Sequence, residues 1–409
     1  MFQLKHAALT CATPRAIGPA QQLTNRRILL YSHDTFGLGN IRRTLLLAQE
    51  LIDQYPRAAV LLITGSQMIQ SFRIPEGVDY VKLPCLDRID AERYESRFLL
   101  DCSEAVKSTR SAIIEKTVLG FEPDLMIVDK RPAGVDGELH DTLTALRERN
   151  FPTRLVLGMR DILDEPRRTR ETLKNNHSFE IIRDYYDEVW IYGSQLIFDT
   201  VNEYQFPADV ARISHYCGYL KRPTVAASRN GGPPQVLVTT GGGGDGSPMI
   251  EAYLEGLSHL PRNVALQSTV VFGPQMSAET RTSLIDRFGY LTDVEFREFE
   301  PDLTELYAAA DLVVSMAGYN TVCELLSFGR NAILVPRTEP VKEQLIRARL
   351  LSRAGLFEMV EPRELTPDFL LAKVLASLKE VAHRPVRVDL QGLPRIRERV
   401  RELLEENKK

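Results

Sequence analysis

The stretch from Ser315 to Gly355 carries polar side chains and glycines at the spacing of a nucleotide site. A short apolar run ends at Ser315, a turn with Gly318 follows, and apolar residues at helical spacing begin near Thr321. A helix that starts directly after a strand exposes free backbone N–H groups, and these bind phosphate. Glu324 lies about one turn into this helix, where its carboxylate could accept hydrogen bonds from two ribose hydroxyls. The spacing therefore predicts a site for a nucleoside diphosphate.

A second glycine turn lies earlier in the chain. Gly241, Gly242, Gly243 and Gly244 stand between an apolar run at 235–240 and a helix that is predicted from its first-turn proline onward. Consecutive glycines allow backbone amides to close around a diphosphate. The Walker pattern GxxxxGK[ST] is absent, and a flexible connector is the alternative interpretation. The strong strand and helix patterns on either side favour a binding loop.

Charged residues also follow two buried-strand patterns in the first half of the chain. Asp129, Lys130 and Arg131 follow one apolar run, and Arg160 and Asp161 follow the next. Ligands of open parallel sheets bind outside the carboxyl ends of the strands, so both clusters are expected to face one crevice. Solvated turn charges or mutual ion pairs are an equally weighted alternative.

The first predicted strand, residues 27–32, leads into a polar turn. His33 follows it directly, and Gly37, Gly39 and Asn40 come next, before a predicted helix. The spacing is not GxGxxG, so the turn is not a dinucleotide fingerprint. A turn between the first strand and first helix is nevertheless the usual ligand position of a doubly wound domain.

Three residues are candidates for a general base that would take a proton from an acceptor hydroxyl. His33 is the first, because imidazole titrates near neutral pH and this one ends the first strand. Asp161 and Asp129 are the others. A structural histidine that caps the strand is an equal alternative for His33.

The bulk properties predict two domains and exclude several function classes. A chain of 409 residues is too long for one typical core. Residues 86–97 are rich in charge and are predicted as a loop. The formal net charge of −4 argues against nucleic-acid binding. The 5 cysteines form no CxxC pair, which fits a reducing compartment, and no metal-ligand spacing or DxD pattern occurs. The predicted division is: 1–25, a leader; 26–222, a first doubly wound domain; 223–234, a linker; 235–384, a second doubly wound domain; 385–409, a terminal helix.

The pattern Ser-x-x-Gly-x-x-Thr-x-x-Glu, followed by an apolar strand that ends in proline and then by Glu-Gln, resembles the donor half of GT-B glycosyltransferases. It is most similar to the family 28 branch, which includes the peptidoglycan N-acetylglucosaminyl transferase and the galactolipid synthases. The resemblance implies an α/β fold of two Rossmann-like doubly wound domains facing a cleft, with a C-terminal helix that crosses back to the first domain. The implied donor-binding residues are Gly242, Gly243, Gly244, Phe299, Ser315, Gly318, Asn320, Thr321, Glu324, Glu343 and Gln344.

The turn after the first strand resembles the Gly-Leu-Gly-His-Leu-Arg-Arg loop of related predicted glycosyltransferases. In that loop the histidine is a candidate catalytic residue, and here Asn40 stands in its place. The resemblance therefore does not carry a base over to this chain. It does imply Gly37, Gly39 and Asn40 as an acceptor-side loop.

The resemblance implies a metal-independent, inverting transfer of a sugar from a nucleoside-diphosphate donor to a hydroxyl acceptor. The donor would be a UDP-hexose or UDP-N-acetylhexosamine, used as substrate with no cofactor, and the acceptor would be lipid-linked or a glycan. The chain is expected in the cytoplasm, and peripheral contact with the inner membrane face stays open. Two alternatives also stay open: a non-catalytic protein that binds a nucleotide sugar, and a sugar-nucleotide epimerase on the same fold.

Overall fold

The structure, a computed structural model, describes residues 25–33, 38–89, 93–226, 231–261, 264–379 and 388–405. The expected leader lies almost wholly outside the described residues, and Gly37 also lies outside them.

The first domain is built on a seven-stranded sheet in which all neighbouring strands are parallel, in the order β3-β2-β1-β6-β7-β8-β9. Its strands read as near-continuous apolar runs because helices cover both faces. The strands are β1 Arg27–Ser32, β2 Ala59–Thr64, β3 Val78–Lys82, β6 Leu125–Asp129, β7 Arg154–Arg160, β8 Glu188–Tyr192 and β9 Ser214–Tyr216. The helices are α1 Leu38–Gln54, α2 Ser103–Phe121, α3 His140–Glu148, α4 Pro166–Asn175, α5 Ser178–Tyr185, α6 Thr200–Glu203 and α7 Ala208–Arg212.

The predicted loop over residues 86–97 was wrong. The segment forms an antiparallel pair, β4 Leu86–Arg88 with β5 Tyr94–Ser96. Leu86 and Tyr94 are buried against Val106 and Val135 in a small apolar cluster of their own. Burial by distant residues thus outweighs the local charge pattern, and it brings Tyr94 beside the end of β1.

The second domain repeats the plan with a six-stranded sheet of parallel pairs, in the order β12-β11-β10-β13-β14-β15. The strands are β10 Gln235–Thr239, β11 Gln267–Val271, β12 Val294–Arg297, β13 Leu312–Ser315, β14 Asn331–Leu334 and β15 Glu358–Met359. The helices are α8 Ser247–Ser258, α9 Ala278–Phe288, α10 Thr304–Ala309, α11 Tyr319–Phe328, α12 Glu343–Arg353 and α13 Pro367–Lys379.

The last helix, α14 Gly392–Glu405, packs on the first domain. Its apolar positions Ile396, Val400, Leu403 and Leu404 join the core around β1 and α1. At the edge, the Arg397 guanidinium donates to a carboxylate of α1 at 2.7 Å. The expected crossing of the terminal helix back to the first domain is confirmed.

Both sheets have a topological switch point, and these two points define the site. In the first sheet the order in which successive strands are added reverses between β1 and β6. In the second sheet it reverses between β10 and β13. Segments that leave neighbouring strands at such a point diverge to opposite faces and open a crevice at the carboxyl ends. The residues that follow these four strands are therefore placed to bind a ligand.

Candidate functional site

A cleft of about 750 Å³ lies between the domains, at the carboxyl ends of both sheets. This volume falls in the range of pockets that bind small molecules. The first domain contributes His33, Gly39, Asn40, Lys130 and Arg160 to the wall. From the second domain come Gly241, Gly242, Gly243, Gly244, Gly318, Asn320, Thr321, Arg337, Glu343 and Gln344. The structure thus brings most of the predicted site residues from both halves into one space.

The glycine turn after β10 requires glycine for steric reasons. Gly243 has a φ of +93°, and a Cβ there would lie 2.4 Å from the Phe272 carbonyl oxygen. Gly318 is different, because it has an extended φ of −64° and a Cβ would meet only ordinary contacts. Gly318 therefore begins α11 in a conformation that any residue can adopt.

Glu324 is buried, and its carboxylate already has a partner from the other domain. Arg42, on α1, donates from Nη2 to Glu324 Oε1. Oε2 of the same carboxylate is buried and makes no hydrogen bond to the described residues. The nearby Tyr307 hydroxyl has its pKa raised by burial and by the charge of Glu324. In this conformation Arg42 occupies the position at which the sequence predicts a ribose.

Asn320 links the domains at the rim of the cleft. Its Nδ2 donates to the Gly39 carbonyl at 2.7 Å, and its Oδ1 accepts from Arg222 Nη2 at 2.7 Å. Burial lowers the pKa of Arg222. The predicted donor residue and the predicted acceptor-side loop are therefore in direct contact.

Arg337 organises the carboxylates on the donor side. Its Nη2 donates to Glu343 Oε1 at 3.0 Å, and its Nε lies 3.0 Å from an Asp245 carboxylate oxygen. Burial raises the pKa of Asp245. Gln344 follows Glu343 at the start of α12 and also lines the cleft. These side chains line the part of the cleft next to the glycine turn.

Three predicted donor residues are not on the wall of the cleft: Glu324, Ser315 and Phe299. Ser315 ends β13 fully buried, and its Oγ has no hydrogen-bond partner among the described residues. Phe299 follows β12 and is half-buried. Their predicted roles remain predictions.

His33 lies at the end of β1 with its side chain in the cleft wall. The ring is buried, and Tyr94 packs edge-on against it, with ring centroids 6.4 Å apart. The His33 carbonyl accepts a hydrogen bond from Asn40 Nδ2. Asn40 therefore connects the start of α1 to the end of β1, at the position where the resembling loop has a histidine.

The other two candidate bases lie in buried ion pairs. Asp129 Oδ1 accepts from Arg43 at 2.5 and 3.1 Å. Asp161 accepts from Arg347 of α12 at 2.7 and 2.9 Å, and the Tyr219 hydroxyl donates to it at 3.3 Å. Both arginines are almost fully buried. Neither carboxylate lines the cleft, so the alternative of ion pairing describes these two residues.

The two ion pairs meet on one aromatic ring. The guanidinium carbons of Arg43 and Arg347 lie 5.8 and 5.9 Å from the centroid of Tyr319. This tyrosine begins α11 and stacks on Tyr219 of the first domain, with centroids 6.2 Å apart. A continuous charged and aromatic contact thus joins the domains directly behind the cleft.

Replacing Asp161 by Ala is expected to lower the free energy of unfolding by about 3–5 kcal/mol, because Arg347 would stay buried without its counter-ion. Thermal and denaturant unfolding measure this loss. Glu171→Ala, in an exposed pair with Arg167, is the control and should cost less than about 1 kcal/mol. The double variant Asp161→Leu/Arg347→Met should recover most of the loss. Equal costs for the two Ala variants would contradict a stabilising role for the buried pair.

Sequence reasoning missed the ionic contacts and found the cleft. Arg42, Arg43 and Arg337 reach the site, and none of them is among the site residues predicted from the sequence. The consecutive Arg42 and Arg43, one turn after the glycine loop, were the available signal. The structure also separates each charged cluster: Lys130 and Arg160 face the cleft, whereas the aspartates beside them are in ion pairs.

Two searches of the described residues bear on the kind of site. Within the described ranges, no group of three or more histidine, cysteine or acidic side chains could hold a metal ion. The same residues contain no helix that is long and apolar enough to cross a membrane.

The second domain matches a known family. Residues 236–387 match the model of the glycosyltransferase family 28 C-terminal domain. The UDP-N-acetylglucosamine--N-acetylmuramyl-(pentapeptide) pyrophosphoryl-undecaprenol N-acetylglucosamine transferase of Mannheimia succiniciproducens is 33% identical over 134 residues, 32% of this chain and 38% of that protein. The protein of the same name in an Anaeromyxobacter species is 36% identical over 135 residues, which are 32% of this chain and 34% of that protein. The chain thus spans about a third of the length of these curated relatives.

Solved structures resemble the whole chain. MurG of Acinetobacter baumannii superposes with a TM-score of 0.55 at 15% identity, over 94% of this chain and 100% of that one. The glycosyltransferase of kitacinnamycin superposes with a TM-score of 0.58 at 14% identity, over 93% of this chain and 96% of that one. A protein from Listeria monocytogenes superposes with a TM-score of 0.62 at 12% identity, over 94% of this chain and 97% of that one. Its name describes it as a putative UDP-N-acetylglucosamine 2-epimerase. The expected fold class is confirmed: the chain has the two-domain GT-B fold, and residues 236–387 match the model of the glycosyltransferase family 28 C-terminal domain.

Proposed function

We propose that the protein is a metal-independent, inverting glycosyltransferase that moves a sugar from a nucleoside-diphosphate donor to a hydroxyl acceptor. The observation that carries this proposal is the shared cleft. The glycine turn before α8, the amino end of α11 and His33 all border one space at the switch points of the two sheets. Phosphate-binding backbone and a side chain able to accept a proton are thus brought to one place.

The electrostatics of the wall suit a diphosphate leaving group. On the donor side of the cleft, Arg337 lies beside the glycine turn, between Asp245 and Glu343. The amino ends of α8 and α11 add their dipoles from the donor side. Charge that develops on the leaving diphosphate would therefore be stabilised by groups already fixed in place. We infer from this that the nucleotide sugar acts as substrate without a cofactor.

The roles within the site follow from this geometry. Glu324 would accept hydrogen bonds from the ribose hydroxyls once Arg42 moves away. Gly242, Gly243 and Gly244 would hold the diphosphate, and Glu343 with Gln344 would contact the sugar. His33 would take the proton from the acceptor hydroxyl as the oxocarbenium-like centre is attacked.

The names of the relatives support UDP as the nucleotide and N-acetylglucosamine as the sugar. They also describe a pyrophosphoryl-undecaprenol acceptor, which makes a lipid-linked acceptor at the inner face of the membrane the first to test. The protein would then work in the cytoplasm and touch the membrane peripherally.

The proposal is tested by incubating the protein with labelled UDP-N-acetylglucosamine or UDP-glucose and a panel of hydroxyl acceptors, in EDTA and in magnesium. We expect a glycosylated acceptor of inverted configuration, at similar rates in both buffers. Activity only with magnesium would contradict the metal-independent mechanism. An epimerised sugar nucleotide formed without acceptor would instead identify an epimerase. Tight donor binding with neither product would identify a binding protein.

A further inference from the structure

Arg160 is a cation of the cleft wall without a directly bonded carboxylate among the described residues. It ends β7 and is partly buried, and among the described residues its guanidinium forms no hydrogen bond or ion pair. Its Nε is fully buried without a partner. Burial lowers the pKa of Arg160; the charges of Glu343 and Asp129 raise it, and those of Arg43 and Arg347 lower it. Arg42, Arg43 and Arg337 differ, because each is paired with a carboxylate.

Lys130 lies on the neighbouring strand end in a strained backbone conformation. Its φ is +75°, which is unusual for a residue with a side chain. The conformation is fixed by a hydrogen bond from its backbone N–H to the Gly158 carbonyl, at 2.7 Å. Such strain persists where the surrounding structure enforces it, often at ligand sites. Here it places a second cation of the first domain in the wall of the cleft.

A small apolar chamber adjoins these two cations. It has a volume of about 80 Å³ and shares Lys130, Arg160 and Val341 with the cleft. Apolar side chains form about half of its wall. They come from β7, α4 and α5 and from the loops after β7 and α6: Leu157, Met159, Leu163, Leu173, Phe179, Ile182 and Phe206. Polar side chains, Asp164 and Arg168 among them, also line the chamber, and Lys130 and Arg160 lie where it meets the cleft.

We infer that the acceptor presents an anionic group, carboxylate or phosphate, to Arg160 and Lys130 and inserts a short alkyl group into this chamber. A guanidinium without a directly bonded carboxylate in a partly buried position binds an anion strongly, because a charge-assisted hydrogen bond there meets little competition from water. The size of the chamber limits the apolar part. A cavity of about 150 Å³ holds benzene, so this smaller one takes a group such as isobutyl.

The donor is the other source of an anion, and the geometry favours the acceptor. The donor diphosphate has the glycine turn and the amino end of α11 in the second domain. Arg160 and Lys130 lie on the first domain, on the same sheet as His33. The inference rests on the proposed function and names the class of its acceptor.

The test compares three probes by calorimetric titration: isobutyl phosphate, inorganic phosphate and isobutanol. The wild type is expected to bind isobutyl phosphate about tenfold or more tightly than either other probe. Arg160→Gln should lower the affinity for isobutyl phosphate by about tenfold or more. It should change the affinity for UDP by less than about twofold. Arg154→Gln, at the far end of the same strand and paired with Asp187, is the matched control and should change neither.

A second variant addresses the chamber. Leu163→Phe fills it and should remove the preference for isobutyl phosphate while keeping the affinity for inorganic phosphate. Its melting temperature, compared with that of the wild type, checks that it folds. If the wild type binds isobutyl phosphate no better than inorganic phosphate, the chamber takes no alkyl group and the inference fails.

The remaining outcomes are also decisive. If Arg160→Gln lowers the affinity for UDP as much as the affinity for isobutyl phosphate, then Arg160 binds the donor and the inference is overturned. If the wild type binds isobutyl phosphate but no nucleoside diphosphate, the proposed function fails while the anionic alkyl site stands.

Discussion

Glu324→Ala is expected to weaken the binding of the donor nucleotide by about 10²–10⁴-fold, because two charge-assisted hydrogen bonds to the ribose are lost. The carboxylate is held buried one turn into α11, and one of its oxygens makes no hydrogen bond to the described residues. Such a group is costly to keep unless a ligand uses it. Calorimetric titration with UDP measures the loss.

The melting temperature of Glu324→Ala shows whether the fold is retained. Glu295→Gln, an exposed residue of β12, is the control and should bind UDP like the wild type. Wild-type affinity in Glu324→Ala would remove this residue from the donor site.

Arg42→Gln offers an independent check on the same carboxylate. Arg42 and the ribose compete for Glu324, so removing the guanidinium is expected to tighten UDP binding by about three- to tenfold. Weaker binding would mean that Arg42 moves onto the nucleotide instead of away from it. The two variants are therefore expected to shift the affinity in opposite directions.

His33→Gln is expected to reduce kcat by about 10²–10⁴-fold, the usual contribution of a general base. His33 lines the cleft, whereas the Asp129 and Asp161 carboxylates are engaged with Arg43 and Arg347. The affinity for UDP should stay unchanged, since the ring belongs to the first domain and the donor is held by the second. Steady-state kinetics and titration together separate the two effects.

The control for this variant is His259→Gln, which changes an exposed histidine paired with Asp368 on the surface of the second domain. Its kcat should equal that of the wild type. Unchanged kcat in His33→Gln would return His33 to the role of a structural residue at the end of β1.

Features that depend on neighbours in the chain were predictable from the sequence. Alternation of apolar strands, glycine turns and helices located both sheets and the helices between their strands. The rule that ligands bind at the carboxyl ends of parallel strands then brought His33 and the Gly241–Gly244 turn together.

Features that depend on partners distant in sequence were not predictable. Asp129 and Arg43 are separated by 86 residues, Asp161 and Arg347 by 186, and Arg42 and Glu324 by 282. No local pattern marks such pairs, so the two aspartates could not be told apart from catalytic bases. The buried hairpin at Tyr94 and the chamber beside Arg160 were hidden for the same reason, because both are formed by packing between elements.

The central claim, that this cleft binds a nucleoside diphosphate without a metal ion, is tested most directly by calorimetric titration. UDP, GDP, ADP and dTDP would each be titrated into the wild-type protein in EDTA and then in magnesium. We expect one of them, UDP by the evidence of the relatives, to bind tightly and equally in both buffers. Failure of all four to bind in either buffer would contradict the account.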